Sequence, residues 1–346
     1  MRREARQNRG VFRAQGLPIP RVAYPGVLVG LAMFTALLAA HGASEVGAAL
    51  RTAGAGLLAV AAYHLLPMAA DALGWRRLLP GELRPPVRTI LWARWVGESV
   101  NGLLPVLQVG GNIVKASVLS RTGVGAPVAG ATVVVDVTLV MLTQVVFTVV
   151  GLALLLMQLG GHPLVLPVAV GVVIMGSILA AFYAAQRQGV FGALAQLLVR
   201  LGRGRWASLA AGGDAIDASV AVLYRQRRTI AAASAWHLLS WLVGTGEVWL
   251  ALYFLGQPVG LPEALMLESL GQAVRAGAFA VPGALGVQEG GYVMLGRVVG
   301  LGPETALALS LAKRVRELVL GIPGLIAWQL DVAASSGRDD AEAKRA

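Results

Sequence analysis

Long apolar runs alternate with short basic segments along this chain. The runs lie at about 22–40, 53–73, 128–157, 164–185, 230–255 and 305–330. Each is close to or longer than the ~20 residues a helix needs to cross the hydrocarbon core of a bilayer. The run at 22–40 is longer than the apolar stretch of a cleaved signal peptide, and the basic tail before it is also long. It therefore reads as a retained helix. The pattern predicts an all-α, polytopic integral membrane protein with about six full transmembrane helices.

Two further segments are interrupted. One runs from Trp92 to Gly111 and the other from Glu268 to Gly291. Each contains Glu-Ser-aliphatic (Glu98-Ser99 and Glu268-Ser269), breaks at a proline (Pro105 and Pro282) and ends on a glycine pair (Gly110-Gly111 and Gly290-Gly291). A polar stretch and a long span follow each one, with Asp136 in the first span and Lys313 and Arg314 in the second. Proline and paired glycines break a helix, and the freed backbone groups cannot face lipid. Both segments are therefore expected to be re-entrant helical hairpins. Counting spans places them on opposite faces, as an inverted repeat with units at about 53–157 and 230–330.

Charge sets the expected orientation. Arginines crowd residues 1–21 and the connection 186–229, whereas 158–163 and 256–262 contain no Lys or Arg. The positive-inside rule then makes 1–21 a cytoplasmic tail and 186–229 a cytoplasmic loop. In that loop Val190, Leu194, Leu197, Leu198 and Leu201 recur at helical spacing, as in an interfacial amphipathic helix. Residues 331–346 form a C-terminal tail. The multi-pass domain is thus 22–330.

Composition agrees with this reading. The 346 residues are 56% hydrophobic and only 14% charged, with a mean hydropathy of +0.69. No cysteine is present, which excludes disulfides and a thiol nucleophile. The formal charge of +11 is assigned to topology and anionic headgroups, not to nucleic acid. The four histidines, His41, His64, His162 and His237, share no ligand spacing and read as packed or interfacial residues. No metal or other cofactor is expected.

A charge at mid-bilayer costs at least ~2.5–3.5 kcal/mol, so ionisable residues in apolar surroundings need a reason. Glu98 and Asp136 lie in the first unit, and Glu247, Glu268, Arg275, Glu289, Lys313, Arg314, Arg316 and Glu317 in the second. Internal ion pairing is one reading. The other is a polar cavity that takes a lipid headgroup, its bases gripping a phosphate and its acids meeting a cationic group or a proton. Lys313 to Glu317 lie near the start of their span, so snorkelling to the interface competes with a cavity role.

Gly97-Glu-Ser-Val-Asn-Gly-Leu-Leu-Pro105, with Gly110-Gly111, Lys115 and Arg121-Thr-Gly-Val124, resembles the lysylphosphatidylglycerol synthase transmembrane-region family. Pro282-Gly-Ala-Leu-Gly-Val-Gln-Glu-Gly290 is similar to that family's Pro-Gly-Gly-Leu-Gly-x-x-Glu-Gly signature, with Ala284 in place of a glycine. Val133 to Leu139, with Thr143 and Gln144, resembles the branch associated with hopanoid biosynthesis.

The resemblance implies a flippase-like domain that moves lipids between leaflets. It marks Glu98, Asn101, Pro105, Gly110, Gly111, Pro282, Gly283, Gly286, Glu289 and Gly290 as motif residues, and Arg314 as the basic residue of the final span. The chain ends soon after that span, so the soluble aminoacyltransferase domain of full synthases is expected to be absent. Three readings stay open. The chain translocates a hopanoid or phospholipid, it modifies a lipid headgroup with Glu98 or Glu289 as acid or base, or it is a non-catalytic partner of lipid-biosynthesis enzymes.

Overall fold

The computed structural model describes residues 43–104, 109–159, 165–193, 196, 207–278, 281 and 284–345. The basic tail, the apolar run 22–40, part of the amphipathic stretch 190–201, and Pro105, Pro282 and Gly283 lie outside the described residues. Every regular element among the described residues is helical. In chain order these are α1 (Ala43–Ala53), α2 (Gly56–Tyr63), α3 (Leu65–Arg77), α4 (Val87–Leu103), α5 (Gly110–Ser120), α6 (Ala126–Leu159), α7 (Val165–Arg187), α8 (Ala207–Arg225), α9 (Arg227–Phe254), α10 (Leu261–Gly277), α11 (Val287–Val298) and α12 (Pro303–Arg345).

Among the described residues, three helical stretches are long and apolar enough to cross a membrane: Gly56–Arg77, which joins α2 and α3, Ala126–Met157 and Ala169–Arg187. The 28 residues of α9 and the 43 of α12 exceed the required length, but charged side chains dilute their apolarity. Glu247 of α9 is buried. On α12, Leu318, Ile322, Ile326 and Leu330 form an exposed stripe at four-residue spacing, while Lys313 and Arg316 are buried. Leu166, Val173, Ile174 and Ile178 of α7 are more than half exposed, as expected of a helix facing lipid. The chain is a polytopic helical membrane protein.

Both interrupted segments fold as helical hairpins. In the first, α4 and α5 meet where Gly97 and Gly111 face each other, so close that a Cβ on Gly111 would strike the Gly97 carbonyl. Asn101 Oδ1 accepts the Gly111 N–H at 2.7 Å, which satisfies one of the orphan donors at the start of α5. In the second, α10 and α11 pack together across a break that ends at Gly286 (φ 75°). The Gly290-Gly291 pair therefore lies inside α11, whereas Gly110-Gly111 starts α5. Pro67 shapes the span before the first hairpin. It lacks an N–H and crowds the carbonyl of the residue four back, so the helix turns at His64 between α2 and α3.

The two units are inverted. The pairs Tyr63–Val243, Pro67–Ser240 and Asp71–His237 run in opposite senses, so α3 and α9 are antiparallel. The α4–α5 hairpin opens where α3 finishes, and the α10–α11 hairpin opens where α9 finishes. The two hairpins therefore enter from opposite ends.

Each is held by the other unit. α12 packs on α4, with Gly324 against Ser99, and α6 packs on α10, with Gly151 against Ser269. The Glu-Ser repeat thus places a small residue where the partner unit's last span comes closest. Two apolar cores result. One joins Trp75, Ile90, Leu119 and Val135, and the other joins Leu252, Leu267, Tyr292 and Leu309.

The close approach gives a test. Gly111→Ala is expected to cost about 1–3 kcal/mol in stability, because the Gly97 backbone cannot yield. Gly102→Ala, which meets nothing within 4 Å, is expected to cost nothing. Thermal unfolding of the two variants in detergent separates them.

Candidate functional site

The buried charges collect into two clusters, and both are strung along the α3–α9 pair. In the first, Asp136 of α6 is fully buried and Lys115 of α5 reaches its Oδ2 at 2.7 Å. Arg94 of α4 bridges Asp71 at 2.6 Å and Asp136 at 3.3 Å. His237 of α9, with no exposed surface, holds Asp71 through Nδ1 at 2.8 Å. Its Nε2 lies 3.2 Å from Asp136 Oδ1, but the angle is poor, and neither atom has a hydrogen-bond partner. Distance and alignment disagree here. The contact is best read as electrostatic, since hydrogen bonds weaken steeply off axis. Trp75 lies under the Lys115 ammonium, 4.9 Å from Nζ to the ring centroid.

The second cluster is larger. Lys313 of α12 donates to Glu268 Oε2 of α10 at 2.6 Å and lies 3.8 Å from Glu247 Oε1 of α9. At 2% exposure Lys313 does not snorkel. Arg316 reaches Glu247 Oε2 at 3.2 Å. His64 stands between two carboxylates, Nδ1 at 2.8 Å from Glu247 and Nε2 at 2.8 Å from Glu98. Three arginines converge on Glu317: Arg275 at 2.5 Å, Arg314 at 3.4 Å and Arg316 at 3.4 Å.

The two clusters share a plan. Asp136 and Lys313 occupy equivalent positions, each ten residues past the start of its span, with opposite sign. Each cluster also contains one histidine–carboxylate pair joining the crossed spans, His237 with Asp71 and His64 with Glu247. His237 and Glu247 are ten residues apart on α9, so the clusters lie about 15 Å apart along the axis. In a core of ~30 Å that spacing allows one cluster in each half.

The structure gives the sequence-predicted residues unequal roles. Glu289 is fully buried. Its Oε2 accepts the Gly286 N–H at 2.6 Å, while Oε1 takes Ser310 at 3.2 Å and Arg314 at 3.3 Å. It caps α11 and anchors Arg314. Asn101 locks the first hairpin. Lys115, Asp136 and Lys313 are buried in ion pairs, whereas Glu98, Arg275 and Arg314 keep exposed side-chain surface of 43%, 23% and 15%.

Sequence reasoning read His64 and His237 as packed or interfacial residues and did not single out Asp71 or Arg94 as site residues. A signal existed, because His64 and Asp71 sit seven residues apart in an apolar run and therefore share one helix face. Ala284 has φ 51°, a left-handed conformation that disfavours a Cβ.

Removing one partner from a buried ion pair typically costs about 3–5 kcal/mol, since the other charge is left bare. Lys313→Met is therefore expected to destabilise the protein strongly. Lys313→Met combined with Glu268→Gln is expected to recover much of that loss. Unfolding midpoints in detergent for the single and double variants provide the measurement.

The family model for the lysylphosphatidylglycerol synthase TM region matches residues 25–324. No curated protein and no solved structure matches the chain. The paired hairpins and the motif residues lie within the matched region, and the chain belongs to the lysylphosphatidylglycerol synthase transmembrane-region family.

Proposed function

We propose that this protein moves a lipid between the leaflets of a bacterial cytoplasmic membrane, with its N-terminus in the cytoplasm, by passing the headgroup between the two charge clusters. One observation carries this reading. Two clusters of the same plan lie about 15 Å apart along one helix, and each is assembled from both inverted units. Inverted repeats with polar sites near the midplane are the usual framework for alternating access.

The exposed members suit an anionic headgroup. Both contacts that Arg275 makes among the described residues use Nη1, one to Glu317 and one to Gln288 at 3.1 Å. A guanidinium carries five N–H donors, so Nη2 and Nε are available to a phosphate. Arg314 beside it is held by Glu289 through Nε and Nη2 and by Glu317 through Nη1, so it adds positive charge and the second N–H of each terminal nitrogen. Between α6, α9 and α10 lies an apolar groove of ≈ 380 Å³ lined by Val150, Leu154, Leu242, Leu261 and Leu265. It suits the hydrocarbon of the same molecule, either a phospholipid tail or the rings of a hopanoid. Headgroup chemistry at Glu289 is disfavoured because that carboxylate is consumed by Gly286, Ser310 and Arg314, whereas Glu98 stays open and fits either reading. Lipid-biosynthesis enzymes fit as suppliers of the cargo.

Reconstituted vesicles containing labelled phospholipid or hopanoid test this. Leaflet exchange is expected to exceed that of empty vesicles. Arg275→Gln with Arg314→Gln is expected to slow phospholipid exchange roughly tenfold or more, since each charged hydrogen bond contributes about 1.5–3 kcal/mol. Exchange equal to empty vesicles for every lipid class would sink the reading.

A further inference from the structure

His64 occupies an unusual position. It sits at the Pro67-induced turn, on the seam where α4 and α12 meet α9. From α4, Glu98 Oε1 lies 2.8 Å from Nε2, and from α9, Glu247 Oε2 lies 2.8 Å from Nδ1. From α12, Arg316 Nη1 lies 2.6 Å from Nδ1 and 3.2 Å from Nε2, with Lys313 behind Glu247 and Glu317 behind Arg316. Its neighbour Tyr63 donates to the Val243 carbonyl instead. Side-chain exposure falls from 43% at Glu98 to 14% at His64 and 3% at Glu247. An ionised carboxylate left open at membrane depth needs water, so Glu98 marks a wet entrance.

A histidine kept only for packing needs a single tautomer. Here Nδ1 has two partners at hydrogen-bond distance with opposite requirements. Glu247 needs Nδ1 to carry a proton, whereas Arg316 needs Nδ1 bare. Both flanking groups also carry a buried atom without a hydrogen-bond partner among the described residues, Glu247 Oε1 and Arg316 Nε. Buried polar atoms are normally satisfied, so these two point to a second arrangement of the same groups.

We propose that Glu98, His64 and Glu247 form a proton relay through the seam between the inverted units, and that a proton reaching Glu247 releases Arg316 to an anionic headgroup. This rests on the translocase reading above and adds its energy source. The step balances as follows. Protonated Glu98 gives its proton to Nε2 while Nδ1 gives its own to Glu247 Oε2. The imidazole stays neutral and changes tautomer, Glu98 becomes a carboxylate, and Glu247 becomes a neutral acid. Bare Nδ1 then accepts the Arg316 N–H, and Nε2–H is held by Glu98. Neutral Glu247 no longer attracts Arg316 by charge, which leaves the guanidinium held by a neutral imidazole and by Glu317 at 3.4 Å and lets a phosphate compete for it.

The full chain, reconstituted in vesicles with a fluorescent anionic phospholipid and an entrapped pH dye, decides the matter under an imposed difference of about one pH unit. One coupled proton is expected to shift the leaflet ratio by up to about tenfold per pH unit, with proton flow accompanying lipid movement. In His64→Gln the ratio of exchange with and without the gradient is expected to fall to unity. Glu98→Gln, altered at a half-exposed side chain, is expected to do the same and guards against misfolding at His64.

Wild-type exchange that ignores the gradient overturns the relay and leaves translocation standing, as does a gradient response that survives in both variants. Proton flow that is lost in His64→Gln but unaccompanied by lipid exchange supports the relay and overturns translocation. Absence of both overturns both.

Discussion

A charge inside a bilayer must find an opposite charge or water, and that requirement organises this protein. Asp136, His237, Lys313 and Glu247 lie within long helices of the bundle. Their partners come from neighbouring helices in every case. Lys115 lies on α5, Arg94 on α4, Glu268 on α10 and His64 at the α2–α3 turn. Pairing therefore fixes which helices touch and in which rotation. Apolar packing supplies most of the contact area, but it is tolerant of sliding, whereas an uncompensated charge is not.

The inverted arrangement follows from small residues as much as from charges. Ser99 meets Gly324 and Ser269 meets Gly151, so each hairpin lies under the last span of the opposite unit. In lipid, where helices gain little from hiding apolar surface, such close approaches replace the hydrophobic drive that holds soluble bundles together. Two cores form instead of one, and each takes the beginning of one long span and the end of the other. Leu155 from the end of α6 sits with Leu307 and Leu309 from the start of α12. Trp328 from the end of α12 sits with Val133 and Val135 near the start of α6.

The sequence carried the membrane class, the interrupted segments and their order, because proline, paired glycines and long apolar runs are local signals. It also flagged Asp136, Glu247, Glu268 and Lys313, since charge within apolar sequence is visible without coordinates. Partner choice was not visible. Arg94 read as one of several loop arginines, yet it lies between Asp71 and Asp136, because α4 begins with Val87 and carries it two turns inward. His64 and His237 looked unrelated, since antiparallel crossing of α3 and α9 joins each to a carboxylate more than 160 positions away. Glu289 looked like a substrate group, but the left-handed turn at Ala284 and Gly286 makes it a cap.

The helix α9 carries a residue of each cluster, His237 near one end and Glu247 near the other. It behaves mechanically as a beam resting on two supports. A tilt about the stretch between them presses one end toward its partners and lifts the other. The Phe147–Trp241 stack, with centroids 5.9 Å apart, sits on that stretch as a natural fulcrum. Both clusters are closed in this structure, with Lys115–Asp136 at 2.7 Å and Lys313–Glu268 at 2.6 Å, so a displacement of α9 at either one is carried to the other by the rigidity of a single helix.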